Sequence, residues 1–333
     1  MPSNVDILIV GAGLAGLMAS RWLREHGRTP LILEAAPQVG GRMRTVALGS
    51  GRADIGAQFF TARTAVFQKI AVKWLAEGLI FEWSQGWWDG SAEGVAGDGF
   101  PRYAAVAGMT TVMEYLAQPL DVQTNTAALS VTAVGEGWQV MVGDGRLYHS
   151  RALILTPPVP QSLALLDAGD VPLTAVDRAA LERIQYAPSL TGLVWVEGGV
   201  NLPESGALQR PLHPISWIAD NQRKGISPKA ALITMHVNPR HSQLWQTAPD
   251  GEVMGLLREE LRPYLAPDAR IRQMKIYRWS YALPIVLHPE RTLLAANLPP
   301  LAFAGDAFNG PRVEGAALSG LAAQINLLPR LPD

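Results

Sequence analysis

The chain has 333 residues, 48% hydrophobic and 17% charged, with a formal net charge of −1. The apolar fraction, with Gly and Pro spread along the chain, points to a packed protein of about two domains and excludes a disordered or low-complexity one. The near-neutral balance excludes a general nucleic-acid binder. The lack of cysteine excludes disulfides, thiolate zinc, iron–sulfur clusters and a cysteine nucleophile.

Residues 5–10 are a short β-branched run, read as a buried parallel strand. The run Gly11, Ala12, Gly13, Leu14, Ala15, Gly16 follows. A helical pattern over 14–26 then stops at Gly27. Residues 30–33 read as a second strand ending at Glu34, and Glu34 and Ala35 count among the expected cofactor-binding residues. This βαβ opening predicts a dinucleotide site. Gly11 permits the tight turn, Gly13 the approach of a pyrophosphate, and Gly16 the close packing of helix on strand. The helix start offers N–H groups and a positive dipole end. Glu34 stands where a carboxylate accepts the ribose hydroxyls. The glycines alone do not separate NAD from FAD.

Further along, 65–77 reads as a helix, leading to Trp83, Trp87 and Trp88 among glycines. A short helix opens at 108–111. Residues 122–134, which include Ala128, and 138–142 alternate like strands. A buried strand over 152–155 is stopped by Pro157 and Pro158. The runs 190–196 and 231–237 and a helical 253–265 suit an antiparallel sheet with helices. A last strand ends in Gly305 and Asp306, and a helix begins near Val313. The expected fold is α/β plus α+β. A Rossmann-like domain is formed by 1–61, 103–160 and 285–333, and a second domain on an antiparallel sheet by 62–102 and 161–284. No apolar stretch reaches the ~18–20 residues of a membrane span. The apolar N-terminus carries Asp6 and patterned glycines, unlike a signal peptide, so the expected location is the cytoplasm.

Several segments carry a resemblance. Gly40-Gly41-Arg42-Met43 looks like the extension of flavin amine oxidases. Asp-Ile-Gly-Ala-Gln-Phe-Phe-Thr at 54–61, Ser-Trp-Ile-Ala-Asp-Asn at 216–221, Arg-Trp-Ser-Tyr-Ala at 278–282 and Gly-Pro-Arg-Val-Glu-Gly-Ala at 310–316 narrow it. With the short length, the chain resembles the bacterial renalase-like flavoproteins of that superfamily. The resemblance implies a p-hydroxybenzoate-hydroxylase-type topology and non-covalent FAD. It also implies oxidation of dihydronicotinamide isomers reduced at ring position 2 or 6, with O2 reduced to hydrogen peroxide.

The same resemblance implies roles for residues. Gly41, Arg42 and Met43 would meet the diphosphate, Arg42 through charge-assisted hydrogen bonds. Gly56, Ala57, Gln58 and Phe59 would pass under the isoalloxazine ring, with Gln58 offering its amide to the ring edge or to substrate. Ala128 would line the cofactor. Gly305 and Asp306 would meet the ribityl chain. Arg312, Val313, Glu314 and Ala316 would open a helix whose positive end faces the flavin, an effect of ~0.3–2 kcal/mol. Plainer alternatives stand beside these: a surface cation for Arg42, a turn cap for Asp54, a helix N-cap for Asp306.

Hydride transfer from a dihydropyridine yields an aromatic cation and needs no strong base. It needs a dry slot that holds the ring and orients the carboxamide. Eight of ten Trp (74, 83, 87, 88, 195, 217, 245, 279) fall in the segments given to the second domain. Gln58, Trp217, His236 and Trp279 are the pocket candidates. The histidines form no cluster with carboxylates, so no metal site is expected. Lys275 is read as solvent-facing. The competing functions are a flavin amine oxidase, a small desaturase-type oxidoreductase and a non-catalytic flavin sensor. The expected partners are a small molecule and O2, with no nucleic acid or membrane; the oligomeric state is left open.

Overall fold

A computed structural model describes residues 3–89 and 95–330. Two compact units divide the chain. One is made of 1–41, 113–185 and 284–333, the other of 42–112 and 186–283.

The first unit is built on a mixed sheet. Its central order is Leu293–Leu294, Leu301–Phe303, Leu147–Leu155, Ser3–Val10, Leu31–Leu33, Asp121–Gln123, with Ala128–Val134 and Gly137–Val142 paired alongside. Strand Ser3–Val10 lies parallel to both Leu147–Leu155 and Leu31–Leu33. Ile7, Leu8 and Ile9 are fully buried, which explains why this strand shows no alternation. Helix Leu14–Glu25 follows it, and its C-cap His26 precedes Gly27 at φ +76°. Helix Val313–Leu327 packs on that helix. A Cβ on Gly320 would stand 2.2 Å from the Ala15 carbonyl oxygen, so the two backbones touch there. This is the Rossmann-like layer, and the α/β plus α+β class holds.

The second unit carries a seven-stranded sheet in the order Arg270–Val286, Gln185–Glu197, Ala231–Val237, Ile215–Asp220, Ala207–Gln209, Ile80–Trp88, Val95–Ala105. Most of its neighbours are antiparallel; Ala207–Gln209 and Ile80–Trp88 pair in parallel. One core fills the space between this sheet and helix Asp250–Leu261, with Val194, Ile233, Met235, Val253 and Leu257 buried. A second forms where Ala53 and Ile55 meet Leu193 and Leu232.

That second core is why 42–61 count with this unit, where the sequence pattern assigns them to the other. Conversely 161–185 count with the first unit, where Gly169 packs against the backbone of Val131. Among the described residues no helix is long and apolar enough to cross a membrane, and none group into a metal site.

Candidate functional site

The glycine turn of the first unit leaves its strand through Gly11, at φ +100°, which only glycine adopts without strain. The Gly11 N–H donates to the Leu33 carbonyl at 2.8 Å. Thr156 Oγ1 donates to the carbonyls of Val10 and Gly11 at 2.8 and 3.1 Å. A Cβ on Gly16 would stand 2.1 Å from the Gly11 oxygen, whereas one on Gly13 would meet nothing within 4 Å. Gly13 is the helix N-cap and has no side-chain bond. The turn is therefore closed at Gly16 and open at Gly13, beside the N–H groups of the first helical turn. Ala12, Leu14 and Ala15 are buried behind it.

Glu34 stands at the end of the second strand. Its two carboxylate oxygens accept from the N–H groups of Ala12 at 2.7 Å and Ala36 at 2.8 Å. Ala35 is exposed beside it. Thr126 and Asn125 donate their N–H groups to the carbonyls of Glu34 and Ala36, and Ala128 begins the next strand, half-buried. Gly41 brings its backbone toward Gly13, with a Cβ position 3.6 Å from the Gly13 Cα. An open glycine turn, a helix N-terminus and a fixed carboxylate fit a dinucleotide.

At the C-terminal end of this unit Gly305 takes φ +147°. Its N–H donates to Ser319 Oγ, which donates to the Arg291 carbonyl. Asp306 is half-buried and does not cap the following helix; the N-cap is the exposed Arg312. Val313 begins the helix, Glu314 lies in its first turn, and Ala316 is half-buried.

In the second unit the segment 54–59 is held from within. A Cβ on Gly56 would stand 2.0 Å from the Arg42 carbonyl oxygen, which also accepts from the Ala57 N–H. The small residue at 56 answers to the Arg42 backbone. The Arg42 guanidinium donates to the Ala282 and Tyr281 carbonyls at 3.0 and 3.4 Å. Met43 is buried. Gln58 Nε2, expected to reach outward, donates to the carbonyls of Asp54 and Gly56 at 2.7 and 3.0 Å. The reason is the tight turn, which puts two backbone acceptors within its reach. Gln58 Oε1 is buried with no partner among the described residues.

At the root of this turn is an ion pair that sequence reading passes over. Asp54 and Lys224 side chains are both fully buried, with Nζ 2.6 Å from Oδ2. Nζ also donates to the Gln58 carbonyl at 2.6 Å and lies 4.6 Å from the centre of the Trp83 ring. Asp54 Oδ1 accepts from Thr45 Oγ1 and the Met109 N–H. Burial pushes the Lys224 ammonium below its ordinary value, and the Asp54 carboxylate opposes this. The one cue in the sequence is scarcity: five Lys stand against 23 Arg. Lys275 is exposed, as expected.

Above the pair four aromatic rings meet. Phe59 lies 4.9 Å from Trp87 and 5.4 Å from Trp217, and Trp83 and Trp217 lie 4.6 and 4.9 Å from Trp87. The indole N–H groups of Trp87 and Trp217 are buried without partners among the described residues, while that of Trp83 donates to the Ser205 carbonyl. His236 is the cross-strand neighbour of both Trp217 and Thr191. Its Nδ1 is 3.1 Å from Thr191 Oγ1. Burial holds its pKa down to about 4; a hydrogen bond to the Gly56 backbone opposes this and the Lys224 charge adds to it. Trp217 and His236 are thus brought together with Phe59 and Gln58. Trp279 belongs to a different cluster, against Leu193 and Leu232, with the Arg44 guanidinium 5.8 Å from its ring. Trp74, Trp88, Trp195 and Trp245 pack in the cores.

A model of NAD(P)-binding Rossmann-like domains matches residues 9–71, and the model of the flavin containing amine oxidoreductases matches 86–324. Mouse (Mus musculus) renalase is 24% identical over 95% of this chain and 96% of its own. Putrescine oxidase of Kocuria rosea is 45% identical over a short stretch, 17% of this chain and 12% of its own. Among solved structures, a putrescine oxidase variant superposes with a TM-score of 0.74 at 15% identity, covering 99% of this chain and 100% of that one. A putative protoporphyrinogen oxidase of Exiguobacterium sp. 255-15 superposes with a TM-score of 0.72 at 14% identity, again over 99% and 100%. At these identities the structural matches speak to the fold.

Proposed function

The chain belongs to the flavin containing amine oxidoreductase family and is a renalase-like, FAD-dependent oxidoreductase, and from that premise we propose that it oxidises dihydronicotinamide isomers of NAD(P)H reduced at ring position 2 or 6. The first unit would hold the dinucleotide at Gly11, Gly13, Gly16 and Glu34, with Gly305, Asp306 and the helix from Val313 beyond them. The second unit would present the substrate wall. The cofactor roles read for Arg42, Met43, Gly56, Ala57, Gln58 and Phe59 rest on the resemblance. FAD, when bound, supplies the hydride acceptor that O2 regenerates, with hydrogen peroxide as the second product.

The observation that carries the reading is the aromatic group of Phe59, Trp83, Trp87 and Trp217 beside a neutral His236. Such a wall excludes water and favours a planar ring; electron-rich faces also favour the positive charge that grows on that ring as hydride leaves. A dihydropyridine needs no deprotonation, so a neutral imidazole suffices as a polar contact for a carboxamide. The indole N–H groups of Trp87 and Trp217, buried without partners among the described residues, would be further donors.

The test supplies air-equilibrated protein with 2- and 6-dihydro-NAD isomers, ordinary NADH, and putrescine as an amine, and follows oxygen uptake and peroxide together. Equal uptake and peroxide with an isomer, and little with the others, is the expected outcome. Turnover of putrescine alone would replace this reading with amine oxidation. No turnover of any would favour a flavin sensor.

A further inference from the structure

The turn that follows strand Ile215–Asp220 is built to drive one lysine inward. Asp220 Oδ1 accepts from the N–H groups of Gln222 and Arg223 at 2.8 and 3.4 Å. The Lys224 N–H donates to the Asp220 carbonyl at 2.9 Å. Asn221 Nδ2 pins the turn to the neighbouring strand through the Leu232 carbonyl at 2.8 Å and Thr234 Oγ1 at 2.9 Å. Thr234 Oγ1 in turn donates to the Asp54 carbonyl. The lysine so delivered meets a carboxylate, a backbone carbonyl and an aromatic face at once.

Burying an ammonium is costly unless it is paired and hydrogen-bonded. If stability were the only gain, an apolar pair of similar volume would serve as well or better. What an apolar pair cannot do is hold the Gln58 carbonyl and the Trp83 ring at fixed positions. Gln58 precedes Phe59, and Phe59 and Trp83 are two of the four rings of the wall.

We propose that Lys224 is a positioning residue: its ammonium, matched by Asp54, fixes the Gln58–Phe59 backbone and the Trp83 ring and so sets the geometry of the aromatic wall. Its place in catalysis rests on the reading of that wall as the substrate side, so the test separates the two claims.

The first variant is the pair Lys224→Met with Asp54→Asn, which removes both charges and retains an acceptor for Thr45 and Met109. The holoprotein is expected to keep its far-ultraviolet circular dichroism and flavin content. Its near-ultraviolet ellipticity from the coupled indoles is expected to fall by about half or more. KM for the dihydronicotinamide is expected to rise about tenfold with kcat changed less, within the range a small misplacement produces. The second variant uses the absence of any cysteine from the chain. Lys224→Cys, alkylated with bromoethylamine while unfolded and then refolded with FAD, regains an ammonium at nearly the lysine position. It is expected to recover the native near-ultraviolet spectrum, and the unalkylated form is not. A native spectrum in the double variant, or no recovery on aminoethylation, overturns the role of Lys224. A changed and rescued spectrum with unchanged KM upholds Lys224 and overturns the substrate-side reading of the wall.

Discussion

Thr191 Oγ1 lies 3.1 Å from His236 Nδ1 and donates to the Ile55 carbonyl at 3.0 Å, so a fully buried hydroxyl links the histidine to the turn at 55–58. The pKa of His236 falls from 6.5 to about 4 on folding. Between those values the unfolded chain takes a proton that the folded one refuses. The stability this neutral ring contributes is therefore complete above pH 6.5 and lost as pH falls toward 4. The gap bounds the loss at roughly 3 kcal/mol. Urea denaturation of the native protein and of His236→Phe at pH 7 and pH 4.5 measures it. The native protein is expected to lose more stability between the two; an equal loss would contradict the neutral histidine.

Removing one partner of the buried pair is a sharper stability test. Lys224→Met alone leaves Asp54 buried and unpaired and is expected to cost about 3–5 kcal/mol. Adding Asp54→Asn is expected to return most of that in thermal denaturation. A single variant within about 1 kcal/mol of the native protein would mean that water reaches the pair.

Glu34→Ala removes a carboxylate that accepts the Ala12 and Ala36 N–H groups and stands where ribose hydroxyls are expected. FAD binding is expected to weaken by about 1.5–3 kcal/mol, the range for a hydrogen bond to a charged group. Titration of apoprotein with FAD measures it. Undiminished affinity would contradict the ribose assignment.

Two glycines give opposite signs on substitution. Gly320→Ala places a Cβ 2.2 Å from the Ala15 carbonyl oxygen. That is rigid backbone, so overpacking of about 1–3 kcal/mol outweighs the gain in helix propensity of up to ~1 kcal/mol. Gly255→Ala, in helix Asp250–Leu261, meets nothing within 4 Å and is expected to stabilise by the propensity gain alone. Melting temperatures of both variants check the contrast.

The cofactor turn was legible because its chemistry is local. Gly11, Gly13, Gly16 and Glu34 lie within one βαβ unit: Gly11 is required by its positive φ, Gly16 by the Gly11 carbonyl five positions before it, and Gly13 leaves open space. Strand Ala231–Val237 lies on the run read at 231–237, and helix Val313–Leu327 begins where the motif after Asp306 places a helix start. The Lys224–Asp54 pair joins residues 170 positions apart. No local pattern encodes such a contact, and a lysine in a turn ordinarily faces solvent. The motif locates Gln58 but not the inward bonds of its amide to the Asp54 and Gly56 carbonyls, because the direction of a side chain at a tight turn is set by the acceptors that the fold brings near. The compact units divide the chain differently at 42–61 for a related reason. Those residues follow the nucleotide motif in sequence, but Ala53 and Ile55 bury their side chains against Leu193 and Leu232.

The central claim concerns the electron donor, and anaerobic single turnover tests it most directly. Holoprotein mixed in a stopped-flow cell with 2- or 6-dihydro-NAD should lose its flavin absorbance in one fast phase, at a rate that the Lys224→Met/Asp54→Asn pair lowers at limiting substrate. Ordinary NADH and putrescine should bleach it far more slowly. Fast bleaching by putrescine, with none by either isomer, would contradict the account.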